Sequence, residues 1–255
     1  MKKKPLVSVI MNCYNGERYL KNSIQSVLNQ DYKNWELIFW DNKSQDGSKK
    51  IFNGFKDKRL KYYRAKKFTN LYAARNLAIK KAKGDILTFL DVDDLWLSEK
   101  LSKQVFFFEK NKKAELVYSN YFNLKNFFGF QSESIQFKKN LPFGFITDKL
   151  LKSYCIGWLT VAIKKKAMHK ISFNEKLDMV SDFDFIINFS LNKKIFSIQQ
   201  ALAKYRQHPN QLTRKKFFLQ AEQYLKWYQI AQTYIKFKEI KNISKFIDRI
   251  FFLEK

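Results

Sequence analysis

The chain has 255 residues, 45% of them hydrophobic, with 7 glycines and 3 prolines; this suits one domain, or one domain with an appendage, and argues against long disordered linkers. Its 49 Lys and Arg against 23 Asp and Glu give a formal charge of +26, a surface that favours polyanions, although a genome biased toward lysine codons produces the same excess. No stretch reaches the roughly 18 uninterrupted apolar residues of a membrane-spanning helix.

In chain order, Met1-Lys2-Lys3-Lys4-Pro5 leads into an alternating run, which reads as a strand over 6–12 and not as a signal peptide. Cys13 and Cys155 make no CxxC pair and no metal-ligand spacing, the usage of a reducing cytoplasm. Asn15-Gly16 breaks the strand, and a helix follows with Leu20, Ile24, Val27 and Leu28 on one face. A second strand spans 35–40, a polar loop 41–48 leads into a short helix near Ser48, and a third strand spans 60–64. Residues 71–82 form a helix stopped by Gly84, and 86–90 a fourth strand. Ser98 is the expected N-cap of a helix with Leu101, Val105 and Phe108 inward; a fifth strand covers 115–118. Strands alternating with helices over about 120 residues imply a mostly parallel sheet covered on both faces. Residues 120–153 show no ordered periodicity. Beyond them lie a strand over 159–163, a helix over 183–191 opened by Asp182, and short strands over 195–198 and 201–205. From Lys215 the pattern is helical, aromatic and basic.

Four constellations carry chemistry. Asp91-Val92-Asp93-Asp94 puts three carboxylates at the carboxyl end of a strand, the edge where open α/β sheets bind ligands. Clustered carboxylates repel one another unless a cation or donors neutralise them. Mg²⁺ or Mn²⁺ bridging to phosphate oxygens fits; a solvated acidic turn is the plainer alternative. Asp41 and Asp46 follow the second strand at the same edge, where an acid can hold a ribose hydroxyl or a base N–H, or can merely close an Asx turn. Asp182 and Asp184 stand two residues apart at a helix start and so diverge by about 200°, which points to separate tasks: one can be a general base, and both can serve as caps. His208, in Tyr205-Arg206-Gln207-His208, is a metal-ligand candidate or a surface histidine.

Taken in order, these pieces resemble the inverting family-2 glycosyltransferases of the GT-A fold, over residues 6–213, about four-fifths of the chain. The resemblance rests on Val7-Ser8-Val9-Ile10, Tyr14-Asn15-Gly16-Glu17, the 41–48 loop, Ala74-Arg75-Asn76, Gly84-Asp85-Ile86, Asp91-Val92-Asp93-Asp94, Ser181-Asp182 and Tyr205-Arg206-Gln207-His208. Each motif is weak alone; the ordered set is specific. It implies an α/β catalytic domain over 1–213, whose 1–119 half binds the nucleotide-sugar and whose 120–213 half faces the acceptor, with a basic aromatic helical extension over 214–255.

The implied roles follow position by position. Asp41 would contact the base or ribose, walled by Asn12, Cys13 and Tyr14, with Asn15 and Glu17 in the same donor loop. Arg75, Asp91, Val92 and Asp94 would hold the donor. Asp93 would bind Mn²⁺ or Mg²⁺ and His208 complete the metal–diphosphate site. Asp182 would be the catalytic base. Three departures stand out: Asn12-Cys13 replaces the frequent Pro-Thr, Asn42 replaces the second Asp of an Asp-Asp pair, and Ser181 replaces the Glu of Glu-Asp.

The resulting expectation is a metal-dependent, hexosyltransferase-like enzyme moving a sugar from a nucleotide diphosphate, by family weighting UDP, to a glycan or lipid-linked glycan in cell-surface polysaccharide synthesis. It would be cytoplasmic, with the 214–255 extension docking peripherally on an anionic inner membrane face, packing on the catalytic domain, or pairing two copies. The alternatives are an inactive membrane-associated relative and a sugar nucleotidyltransferase, whose Gly-rich phosphate loop is not matched by the single glycine of residues 12–18. Nucleic acid is not an expected partner, because no RNP, helix-turn-helix or zinc pattern occurs and the acidic clusters would repel phosphate.

Overall fold

The structure is a computed structural model that describes residues 4–127, 130–168, 171–209, 211, 219–235, 243, 244, 246 and 248. Strands β1 (Val7–Cys13), β2 (Trp35–Asp41), β3 (Leu60–Arg64) and β4 (Ile86–Phe89) lie in the order β3-β2-β1-β4, all parallel. Every residue of β1, β2 and β4 is buried, which is why these strands read as unbroken apolar runs. Alternate side chains serve two cores. Val7, Val9 and Met11 meet Leu20, Ile24 and Val27 of α1 (Glu17–Leu28), and Phe39 meets Phe52 of α2 (Ser48–Asn53). Ile10, Ile38 and Trp40 share the other core with Ala74 and Ala78 of α3 (Leu71–Ile79).

The sheet continues beyond β4 with mixed pairing. β6 (Leu116–Phe127) pairs antiparallel with β8 (Ala162–Lys164), which pairs antiparallel with β4. β9 (Ile195–Gln207) is parallel to β6, β5 (Leu95–Trp96) closes the edge against β9, and β7 (Phe130–Ile135) folds back on β6 as a hairpin. The strand expected over 159–163 is split: Trp158–Thr160 is a 3₁₀ turn and the strand begins at Ala162. The two short strands expected over 195–205 are one. Ser119 pairs with Ile198 and Asn120 with Ala201, so Gln199 and Gln200 bulge where the sequence suggests a gap.

Two expected end signals act differently. Ser98 does not cap α4 (Lys100–Lys110), which has no side-chain cap; the Ser98 carbonyl instead accepts the Asp31 N–H at 2.9 Å. Gly84 lies five residues past the end of α3. A Cβ there would sit 2.6 Å from the Ser8 nitrogen, so close backbone approach requires the glycine.

Two helices flank the second half, α5 (Thr147–Lys152) and α6 (Ser181–Asn192), and α7 (Leu219–Ala231) packs beside α6. Trp227 of α7 is fully buried; Trp227 and Phe246 lie 4.8 and 5.4 Å from the Phe183 ring. Of the apolar side chains of the 214–255 extension, Trp227, Ile235 and Phe246 therefore pack in the core, the first and last of them against the Phe183 ring of α6. Lys215, Lys216, Phe217, Phe218, Phe251 and Phe252 of that extension lie outside the described residues.

Candidate active site

The carboxyl ends of β1, β2 and β4 open on one edge, because sheet order makes the strands neighbours. Two loops there are sewn together. The Asn15 N–H donates to Ser44 Oγ (3.1 Å), and Asn15 Oδ1 accepts from the Gln45 N–H (2.8 Å), with Asn15 in the left-handed region at φ 52°. The Gly16 N–H donates to Ser48 Oγ (3.0 Å), the Glu17 N–H to Asp46 Oδ2 (2.9 Å), and the Gly47 N–H to Glu17 Oε2 (2.6 Å). Asn15 and Glu17 thus spend their side chains on shaping the loop. Gly16 also lets the loop meet the acidic turn, since a Cβ there would lie 2.8 Å from Val92 Cγ2.

Asp41 is fully covered. Its Oδ1 accepts the Ser44 N–H (2.7 Å), and its Oδ2 accepts from the Tyr62 hydroxyl and from Arg64 Nη1 (3.2 Å). Asn42, in place of a second carboxylate, donates to the Thr69 carbonyl (2.7 Å), which a carboxylate could not do, and accepts from the Thr69 hydroxyl (3.2 Å). At the end of β1 the Asn12 side chain is 8% exposed, and neither its oxygen nor its nitrogen has a partner among the described residues. Cys13 is buried, and burial pushes its thiol pKa up. Tyr14 is exposed and packs on Phe68, ring centroids 4.7 Å apart. An unsatisfied amide beside two exposed rings suits a heterocyclic base.

The acidic turn after β4 is held from three sides. Ser23 Oγ lies 2.7 Å from the carbonyls of both Val92 and Asp94. Asp94, nearly fully buried, accepts the Arg206 N–H at 2.9 Å, and Arg206 Nε donates to the Asp93 carbonyl at 2.8 Å. Asp91 accepts from Arg75 Nη2 at 3.0 Å. The buried Arg75 guanidinium lies 5.3–5.9 Å from the ring centroids of Tyr72, Phe89, Trp158 and Phe173, an aromatic socket that fixes its direction. Asp182, in the first turn of α6, accepts from the Tyr72 hydroxyl (3.2 Å) and the Phe183 N–H (2.8 Å).

These carboxylates feel one another. Burial raises the pKa of Asp182, and the Arg75 charge opposes it. Burial also raises Asp91, again against Arg75, with Asp93 and Asp182 adding to the rise. Asp94 lies well above the carboxylate range through burial, then repulsion from Asp93 and Asp91. Asp184 points elsewhere: its Oδ1 accepts from Trp227 Nε1 (2.9 Å) and the Tyr234 hydroxyl.

Asp93 Oδ2 and His208 Nε2 meet at 2.9 Å, from residues 115 apart in sequence. The described residues hold no group of three or more His, Cys, Asp or Glu able to bind a metal ion. One carboxylate and one imidazole nevertheless suit a hard divalent ion that takes its remaining ligands from phosphate and water. The buried His208 Nδ1 has no partner among the described residues.

The fold therefore gathers Arg75, Asp91, Asp93, Asp94, Asp182 and His208 into one cluster at the carboxyl ends of the strands, with the loops of residues 12–17 and 41–48 beside it. Sequence reading missed Ser23, Phe68, Tyr72 and Tyr62, which carry no motif. Arg206 stood inside a quoted motif without a task.

Comparison with known proteins matches residues 8–196 to the model of Glycosyl transferase family 2. The chain is 39% identical over 173 residues to an Escherichia coli protein, the UDP-Glc:alpha-D-GlcNAc-diphosphoundecaprenol beta-1,3-glucosyltransferase WfgD, covering 66% of this chain and 64% of that one. Among solved structures, Staphylococcus aureus TarS 1-349 in complex with UDP-GlcNAc superposes with a TM-score of 0.68 at 21% identity, covering 80% of this chain and 59% of TarS. The mannosyltransferase PcManGT from Pyrobaculum calidifontis, in complex with GDP-Man and Mn2+, gives 0.66 at 15% identity, covering 92% and 66%. The chain thus spans slightly less than two thirds of these proteins' lengths.

Proposed function

Because the chain belongs to glycosyl transferase family 2, we propose that it is an inverting glycosyltransferase that moves a sugar from a UDP-sugar to a hydroxyl of a lipid-linked glycan at the inner face of the cell membrane. The observation that carries this reading is the placement of Asp182 and Asp91 around the aromatic-walled Arg75, next to the Asp93–His208 pair. The nucleotide and acceptor classes are supported by the donor and carrier in the name of WfgD and by the UDP-GlcNAc in TarS.

In this reading Asn12, Tyr14 and Phe68 receive the base, and Asp41 serves the nucleoside by exchanging Tyr62 or Arg64 for a ligand donor. Arg75 places positive charge beside the donor and opposes the rise that burial imposes on the Asp91 pKa. Asp182 takes the proton from the acceptor hydroxyl as its oxygen attacks the anomeric carbon opposite the leaving diphosphate, and a single displacement inverts the configuration. Its raised pKa makes it a better base than an ordinary aspartate, and Tyr72 fixes the direction of its carboxylate. Asp93 and His208 would hold Mn²⁺ or Mg²⁺, which when bound neutralises charge growing on the leaving diphosphate. PcManGT, solved with Mn2+, supports the cation.

The test is a panel of UDP-, GDP- and dTDP-sugars with Mn²⁺ and a diphospholipid-linked GlcNAc acceptor, reading released nucleotide and extended lipid. Extension from a UDP-sugar is the expected result. Release of no nucleotide from any donor by well-folded protein would refute the enzyme reading.

A further inference from the structure

The segment between β7 and α5 carries Phe143 and Phe145, 68% and 67% exposed, the two most exposed large apolar side chains among the described residues. They are not on a slack loop. Gly144 between them bridges Ile195 in both directions, its N–H donating at 2.7 Å and its carbonyl accepting at 3.0 Å. The Tyr118 hydroxyl holds the Pro142 carbonyl at 2.7 Å, and Leu141 and Ile146 on either side are buried. Gly144 sits at φ +94°, a backbone that glycine tolerates, although a Cβ there would meet nothing within 4 Å. The backbone is thus fastened down while two phenylalanines are turned out, at a place where folding gains nothing from them.

Their surroundings are basic. Lys138, Lys139, Lys149, Lys152 and Lys194 are exposed, and Asp148 is the one acid between residues 136 and 152. Lys194 Nζ lies 5.5 Å from the Phe145 ring. Aromatic tips on a lysine-rich stretch match the headgroup boundary of an anionic bilayer, where rings enter the acyl edge and ammonium groups meet lipid phosphate. A second copy of the chain is a poor match, because a two-fold contact would set like charges against one another.

We propose that Phe143, Phe145 and the lysines around them form the surface by which this protein docks on an anionic membrane. The proposal does not depend on donor or acceptor. Lys194 stands about one length of α6, roughly 18 Å, from Asp182, because it follows the end of that 12-residue helix.

The test is co-sedimentation of the full chain with vesicles of phosphatidylcholine alone and with phosphatidylglycerol added, at low and high salt, for wild type, Phe143→Ser/Phe145→Ser and Lys149→Glu/Lys152→Glu/Lys194→Glu. Wild type should pellet with the anionic vesicles at low salt and be released by high salt. Removing both rings should weaken binding roughly a hundredfold, each withdrawing about 1.5 kcal/mol of buried apolar surface. The lysine variant should lose its preference for anionic lipid. All three should share one Tm, since none of these side chains packs in the core. Unchanged vesicle binding by the double Ser variant overturns the proposal. So does a wild-type dimer in solution that the double Ser variant dissociates while neither protein binds vesicles.

Discussion

α7 and the turn that follows it hold α6 through one carboxylate, and cutting that hold should be measurable. Asp184 is 5% exposed, and its Oδ1 receives Trp227 Nε1 at 2.9 Å and the Tyr234 hydroxyl. A hydrogen bond to a charged group contributes about 1.5–3 kcal/mol. Trp227→Phe/Tyr234→Phe removes both donors, keeps two aromatic rings, and leaves a buried carboxylate unmatched. The expected loss is about 3–5 kcal/mol near pH 7.5. It should shrink in acid. Burial already raises the Asp184 pKa against the pull of the two donors, so their removal raises it further. A carboxyl whose folded pKa is raised contributes stability that is complete below its unfolded pKa and lost as pH rises through the folded one. The gap between wild type and variant should therefore be small near about pH 4 and widest at neutral pH. Asp184→Asn keeps an acceptor for both donors without the charge and should be closer to wild type than Asp184→Ala. Urea unfolding across pH measures this. A gap independent of pH, or a double variant as stable as wild type, refutes the reasoning. Asp182 stands two residues away in the same turn, so kcat should fall with the double variant while donor KM holds.

Asp182→Asn should abolish transfer with donor affinity nearly unchanged; transfer near the wild-type rate removes Asp182 from the role of base. Tyr72→Phe deletes a donor that lowers the Asp182 pKa, so the acid limb of kcat/KM should move to higher pH; an unmoved limb contradicts the contact. Excess EDTA should abolish activity and Asp93→Asn lower turnover by orders of magnitude, on the order of 100-fold or more with the fold intact; full activity in EDTA rules the cation out. Asp41→Ala should mainly raise donor KM, and since it also frees Tyr62 and Arg64 it should lower Tm; a loss confined to kcat would contradict a nucleoside role.

The first half of this fold is legible in its sequence for a physical reason. β1, β2 and β4 are covered on both faces, so their burial leaves continuous apolar runs, and α1 leaves its inner stripe of Leu20, Ile24 and Val27. The acidic turn was readable because a strand end places it at the ligand edge. Beyond residue 119 that correspondence fades. β6, β7 and β9 mix parallel and antiparallel pairing with half-exposed faces, and the bulge at Gln199 and Gln200 interrupts the alternation that would have marked β9 as one strand.

What the sequence by itself determined is the order of motifs and the chemical type of each site residue. Tertiary structure decided their environments. It brought His208 to Asp93 and Tyr72 to Asp182 across more than 100 residues, spent Asn15 and Glu17 on loop geometry, and gave Asp184 to Trp227 while leaving Asp182 near Arg75. It also decided the destinations of the aromatic residues: Trp227 and Phe246 went into the core, one of the three fates open to the 214–255 extension, and Phe143 and Phe145 went out. Composition treats these rings alike, because hydrophobicity is a property of a side chain. Burial is a property of what stands opposite it, and Phe183 stands opposite Trp227 and Phe246 whereas Phe143 and Phe145 meet solvent.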